Sequence, residues 1–182
     1  MKMKQLTVAA FTLLLTVSCT EKKQDFPFRN PDLPIEERIE DLLSRLTPEE
    51  KVGQMMHETP PIERLGIPPY DWWNEALHGV ARAGQATVFP QAIGMAATFD
   101  NEAVLRTFTM VSDEARAKYH HYQANKEYDR YKGLTFWTPN INIFRDPRWG
   151  RGMETSGEDP YLTTQLGVAV TKGLQGDDDN YF

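Results

Sequence analysis

Two arginines and four acids crowd one short stretch, "DPRWGRGMETSGEDPYL", residues 146–162. Arg148 and Arg151 alternate there with Asp146, Glu154, Glu158 and Asp159, among three glycines and two prolines. A planar guanidinium fork can grip hydroxyls or a carboxylate while neighbouring acids aim it. The same charges can also lock the loop by pairing among themselves, with the glycines making tight turns. The residues alone support both readings, and the two are compatible.

A second stretch, "WWNEALHGV", residues 72–80, sets two tryptophans beside an acid and a histidine. Aromatic faces stack on the C–H faces of sugar rings, and they also fill cores. Taken singly, each tryptophan fits a core better than a platform. A carboxylate such as Glu75 grips hydroxyls through short charge-assisted bonds. His78 reads as a hydrogen-bonded structural residue rather than a base. His120 and His121 sit near a polar helix end and read as solvated surface. No spacing suggests a zinc site, so no metal is expected.

These stretches need elements to position them. Ile35, Ile39, Leu42, Leu43 and Leu46 recur at helical spacing. A second helix is expected after Thr47, with Pro48 in its first turn and Glu50 completing a capping box. Val52, Met55 and Met56 are expected to face the core as gap-fillers. The proline-rich residues 59–72 read as a stiff connector with no regular element. Residues 93–99, "IGMAATF", and 133–137, "GLTFW", are apolar runs with the length of buried strands. Between them, Asp100 is expected to cap a long helix carrying Val104, Leu105, Phe108, Val111 and Ala115 on one face. Asp159 is expected to cap another, with Pro160 first and Gly176 ending it. Strand, helix, strand, loop, helix points to an α/β fold with parallel strands and crossover helices. Two or three such units cannot close a barrel, so the pattern reads as the front of a larger domain.

Composition narrows the partners. The 182 residues carry a formal charge of -6 and are 40% hydrophobic. A core is affordable, and a phosphate-binding basic face is not in evidence, so nucleic acid is not an expected partner. At the N-terminus, Lys2 and Lys4 precede the apolar run "LTVAAFTLLLTV", then Ser18 and Cys19. Residues 1–18 read as a signal peptide too short to span a bilayer comfortably. Cys19, the sole cysteine, stands at the cleavage boundary and resembles the lipidated residue of a bacterial lipoprotein, with Thr16 where an aliphatic residue is usual. Residues 19–33 read as a tether and 34–182 as the folded domain. The expected location is secreted or lipid-anchored to the bacterial cell envelope, in the periplasm or at the outer membrane. The membrane is thus a partner through the anchor.

"WWNEALHGV", "FPQAIGMAATFD" and "TPNINIFRDPRWGRGMETSGEDPYL" together resemble the N-terminal domain of glycoside hydrolase family 3, in its β-xylosidase and β-glucosidase branch. The resemblance implies the N-terminal portion of a (β/α)8 TIM-like barrel, incomplete here, and a retaining exo-glycosidase acting on plant-derived oligosaccharides. Such enzymes use two carboxylates about 5–5.5 Å apart and need no organic cofactor. By the same resemblance Arg151 matches the family's sugar-binding arginine, with Glu154 supporting it. Glu75 stands where many β-glucosidases carry an aspartate. Its extra methylene would crowd a hexose CH2OH and favour a pentose. Trp73 looks like the wall of that subsite, and Trp137 is a further candidate from the strand end. The family's Lys–His pair, nucleophilic aspartate and acid/base match nothing in this sequence, so no catalytic residue is assigned. Asp177, Asp178 and Asp179 read as a solvated turn. The missing C-terminal domains are expected partners of this segment. The alternatives are a β-glucosidase or α-arabinofuranosidase of the same family, or a non-catalytic sugar-binding lipoprotein.

Overall fold

Helix-capping chemistry decides most of the architecture. In the computed structural model, which describes residues 26–177, the chain divides into two units, residues 1–41 and 42–182. Residues 1–18 and Cys19 lie outside the described residues, as do Asp178 and Asp179.

In the first unit, Pro27–Arg29 form one 3-10 turn. The Phe28 N–H donates to the Asp41 carboxylate (3.2 Å), and Arg38 Nε donates to the Phe28 carbonyl (3.0 Å). Helix α1, Ile35–Arg45, starts here with Glu36 and Glu37 in its first turn and Arg45 in its last, the order that the helix dipole favours.

In the second unit, α2 covers Pro48–Gly53. The Thr47 hydroxyl accepts from the Glu50 N–H and the Glu50 carboxylate accepts from the Thr47 N–H (3.2 and 2.8 Å). This is the expected capping box. The core assignment after it is corrected: Val52, Met55 and Met56 are 64%, 78% and 60% exposed. The helix stops at Gly53, so the three side chains never share a helical face.

The proline-rich connector also holds more order than expected. Strands β1, Glu58–Thr59, and β2, Tyr70–Asp71, pair antiparallel, Glu58 opposite Asp71. The prolines flank this ladder rather than interrupt it. A 3-10 turn at Glu63–Leu65, ended by Gly66 at φ 61°, reverses the chain.

Residues 93–99 are not a strand. Helix α3 occupies Ala92–Ala96 and buries Met95 and Ala96. A short apolar run fits strand or buried helix equally by periodicity, and the alanines favour the helix. Helix α4, Asn101–Ala124, is capped by Asp100, which accepts from the Ala103 N–H (2.8 Å). Val104, Phe108, Val111 and Ala115 are buried along it, while Leu105 sits at the exposed margin. Helix α5, Pro160–Gln175, is capped by Asp159 and ends at Gly176, φ 78°. The pair α4 and α5 forms the centre of the core with Leu166, Ala169 and Val170. They approach closely because Gly173 lies on Phe108, where a Cβ would come within 2.7 Å of the Phe108 Cβ.

Residues 133–137 do not form the expected strand; a bend at 133–134 opens the segment and no ladder follows. The Tyr131 N–H donates to the Trp73 carbonyl (3.1 Å) and the Trp137 N–H to the Asn74 carbonyl (2.9 Å). Side chains make the other links: Asn74 Nδ2 to the Gly133 carbonyl (2.8 Å), and the Ala76 N–H to the Thr138 hydroxyl (3.1 Å). Partner numbers rise together, so segments 73–76 and 131–138 run in the same direction. Among the described residues β1–β2 is the sole sheet.

Candidate functional site

The stitched segments bring three indoles together. The Trp73 and Trp137 rings stack at 4.5 Å, and Trp72 stacks on Trp137 at 5.7 Å. Trp137 keeps 48% of its surface exposed, so the stack is a partly open face rather than a closed core. Its inner side is braced. Asp71, buried, accepts from the Trp73 N–H (2.9 Å) and lies 3.3 Å from His57 Nδ1. The His57 ring meets Trp73 edge-on at 5.4 Å. Arg130 lies over Trp73 at 5.4 Å and pairs with Asp71 and Glu58. His57, Glu58 and Asp71 place ligand atoms within 4.8 Å of one another, and Arg130 already supplies positive charge to both acids.

Asn74 carries the chain from this stack to Glu75. It is buried, and besides its Gly133 bond its side-chain oxygen accepts from the Glu75 N–H (2.9 Å). The Glu75 carboxylate is 34% exposed and pairs with Arg82 Nε at 3.5 Å.

The charged loop supplies the opposite sign. Arg151 Nε donates to the Glu154 carboxylate (2.8 Å), and a second donation comes from its NH2. A 3-10 turn, Gly152–Glu154, sets this spacing. Gly152 is required there, because a Cβ would lie 2.6 Å from the Phe144 ring. Thr155, fully buried, fixes the turn by donating its hydroxyl to the Gly152 carbonyl (2.8 Å). The Glu154 bond and charge raise the Arg151 pKa, and the negative charge of Glu75 adds to that shift. Arg148 instead forms a self-contained pair with Asp146 (Nε 3.0 Å) and is 89% exposed. Beneath Glu154 is a cavity of about 30 Å³, lined also by Leu77, Thr138, Asn140, Ser156 and Thr163. That is room for one or two waters, and the buried Thr163 hydroxyl has no protein partner.

His78 is hydrogen-bonded to backbone, its Nδ1 3.1 Å from the Phe89 carbonyl. Sequence reasoning missed Arg82, Tyr131, His57, Asp71 and Arg130. Only Asp71, immediately before the tryptophan pair, offered a local signal.

Residues 43–179 match the glycosyl hydrolase family 3 N terminal domain. The chain belongs to that family. This family 3 chain is 52% identical over 170 residues to a xylan 1,4-beta-xylosidase of Xylanibacter ruminicola, covering 92% of this chain and 20% of that protein. It is 51% identical to the probable beta-D-xylosidase 7 of Arabidopsis thaliana, covering 84% of this chain and 20% of the relative. The chain thus spans about a fifth of the length of these curated relatives. Among solved structures it resembles a GH3 exo-beta-xylosidase, XlnD, determined in complex with a xylobiose aziridine activity-based probe. The TM-score is 0.73 at 35% identity, over 84% of this chain and 20% of that one. The family 3 fold is TIM-barrel-like, and the described residues supply the helices and parallel-running segments of an incomplete barrel.

Proposed function

We propose that this chain is the sugar-gripping N-terminal part of a retaining exo-acting β-xylosidase that removes terminal xylose from plant-derived oligosaccharides. The observation that carries the reading is the partly exposed Glu75 carboxylate, two residues after the stacked Trp73, together with an Arg151 fork held by Glu154. Arg151 donates to ring hydroxyls, and Glu154 fixes its rotamers, so less entropy is lost on binding. Glu75 accepts from hydroxyls and occupies the space a hexose CH2OH needs. Trp73 walls the same subsite, and Trp137 backs it. The nucleophile and the acid/base come from other parts of the protein. A glycoside is therefore the partner of this site, and no metal or organic cofactor enters.

Activity of the protein produced with all its domains on nitrophenyl β-xyloside, β-glucoside and α-arabinofuranoside tests the reading. A β-xyloside preference is expected, and a strong glucoside preference defeats the steric argument about Glu75. The reading also includes lipidation of Cys19 after removal of residues 1–18, and anchoring to the cell envelope. It rests on the basic, apolar and small-residue pattern before the single cysteine. Mass spectrometry of the mature N-terminus tests it. A diacylglyceryl adduct on Cys19, lost in Cys19→Ser, is the expected result.

A further inference from the structure

Arg82 and Tyr131 both hold the left-handed backbone conformation, at φ 62° and 71°. That conformation is strained for residues with a Cβ, and glycine would adopt it freely. Strain of this kind persists where the surrounding contacts over-determine it, and it clusters at functional sites. The two residues meet: the Arg82 guanidinium carbon lies 5.5 Å from the centre of the Tyr131 ring. Each also reaches the tryptophan–acid stretch. The Tyr131 N–H donates to the Trp73 carbonyl (3.1 Å), and Arg82 Nε lies 3.5 Å from Glu75 Oε2. The Ala81 N–H donates back to the Glu75 carbonyl (3.0 Å), closing the intervening turn. A circuit thus runs from the Trp73 backbone through Tyr131 and Arg82 to the Glu75 carboxylate.

We propose that Arg82 is a positioning residue for Glu75, seated on Tyr131, and that it sets the width of the sugar subsite so that pentosides are preferred over hexosides. The proposal rests on the reading of Glu75 as a subsite residue. Arg82 contacts Oε2 of Glu75, which leaves Oε1 for a sugar hydroxyl. A glutamate side chain without this restraint samples several rotamers, and those that turn aside open the space for an exocyclic CH2OH.

The test uses Arg82→Gly, Arg82→Lys and Glu75→Gln in the protein produced with all its domains. Melting temperature and kcat and KM on nitrophenyl β-xyloside and β-glucoside are measured. Glycine relieves the backbone strain, so Arg82→Gly is expected to melt at or above the parent temperature. Its KM for the xyloside nevertheless rises several-fold with a smaller change in kcat, and the xyloside-to-glucoside ratio of kcat/KM falls about 10-fold, the scale of discrimination at one methylene. Arg82→Lys restores part of the ratio. In the Glu75→Gln background, Arg82→Gly changes the ratio no further. The proposal is overturned if Arg82→Gly keeps the parental KM and ratio while Glu75→Gln alters them. It is equally overturned if the ratio falls only in step with the melting temperature. If Glu75→Gln alone leaves both parameters at parental values, the subsite reading fails, and the proposal goes with it.

Discussion

Arg151 and Glu154 are joined by a fork contact within one 3-10 turn, while Arg148, three residues earlier, closes on Asp146 instead. One loop therefore holds two arginines with different surroundings. Only Arg151 is also raised by the charge of Glu75. The pairing separates a cation braced by a 3-10 turn from a self-contained surface pair.

Arg151→Ala is accordingly expected to lower kcat/KM on a xyloside by about 10- to 100-fold, the scale of a lost charged hydrogen bond. Arg148→Ala is expected to stay within about 3-fold, as an exposed pair contributes little. Steady-state kinetics of both variants decides the matter. Equal losses mean that the loop only scaffolds.

The Trp73–Trp137 stack predicts an optical signature. Trp137→Ala removes one ring and uncovers the other, so intrinsic fluorescence is expected to shift to the red. Urea unfolding is expected to show a loss of about 1 kcal/mol from the ring pair itself. An unshifted spectrum contradicts the stacking.

Gly173 is a packing contact in α5. A methyl there meets the Phe108 Cβ and the Leu105 carbonyl at 2.7 and 2.9 Å, so α4 and α5 must separate. Gly173→Ala is expected to destabilise by about 1–3 kcal/mol, although alanine is the better helix former. Thermal melts read the sign directly, and a stabilised variant rules out the close approach.

Acid sensitivity is predicted at the start of the second unit. The Arg64 hydrogen bond, then the Thr47 N–H, hold the Glu50 carboxyl below its ordinary 4.5. A depressed carboxyl stabilises the fold above its unfolded pKa and loses that contribution as pH falls through the lowered value. Urea midpoints of the parent and Arg64→Met are therefore expected to differ at neutral pH and to converge below pH 4.5. A constant gap across that range removes Glu50 as the cause.

Local chemistry was readable in the sequence, and distant pairing was not. Asp100, Asp159 and the Thr47–Glu50 box are signalled within four residues, and each caps the helix expected of it. The run at residues 93–99 suggests a strand where Ala92–Ala96 is a helix, because so short an apolar run carries no decisive period. Met55 and Met56 have the spacing of inward helical residues after Val52, but the helix ends before them. The motifs around Glu75 and Arg151 were visible as composition and as a family resemblance. The brace of Asp71, His57 and Arg130 behind Trp73 was not, because an exposed arginine bears no local mark of the ring it covers. Arg82 and Tyr131 were missed for the same reason: a left-handed non-glycine residue looks ordinary until its φ is known.

The cation at 151 and its carboxylate at 154 share one turn, sealed by the Thr155 hydroxyl. Aim is thus set by a few consecutive residues, but their footing is borrowed: Gly152 abuts Phe144, and Glu154 shares a cavity wall with residues of α3, α4 and α5. A change in that footing would turn the guanidinium without touching it.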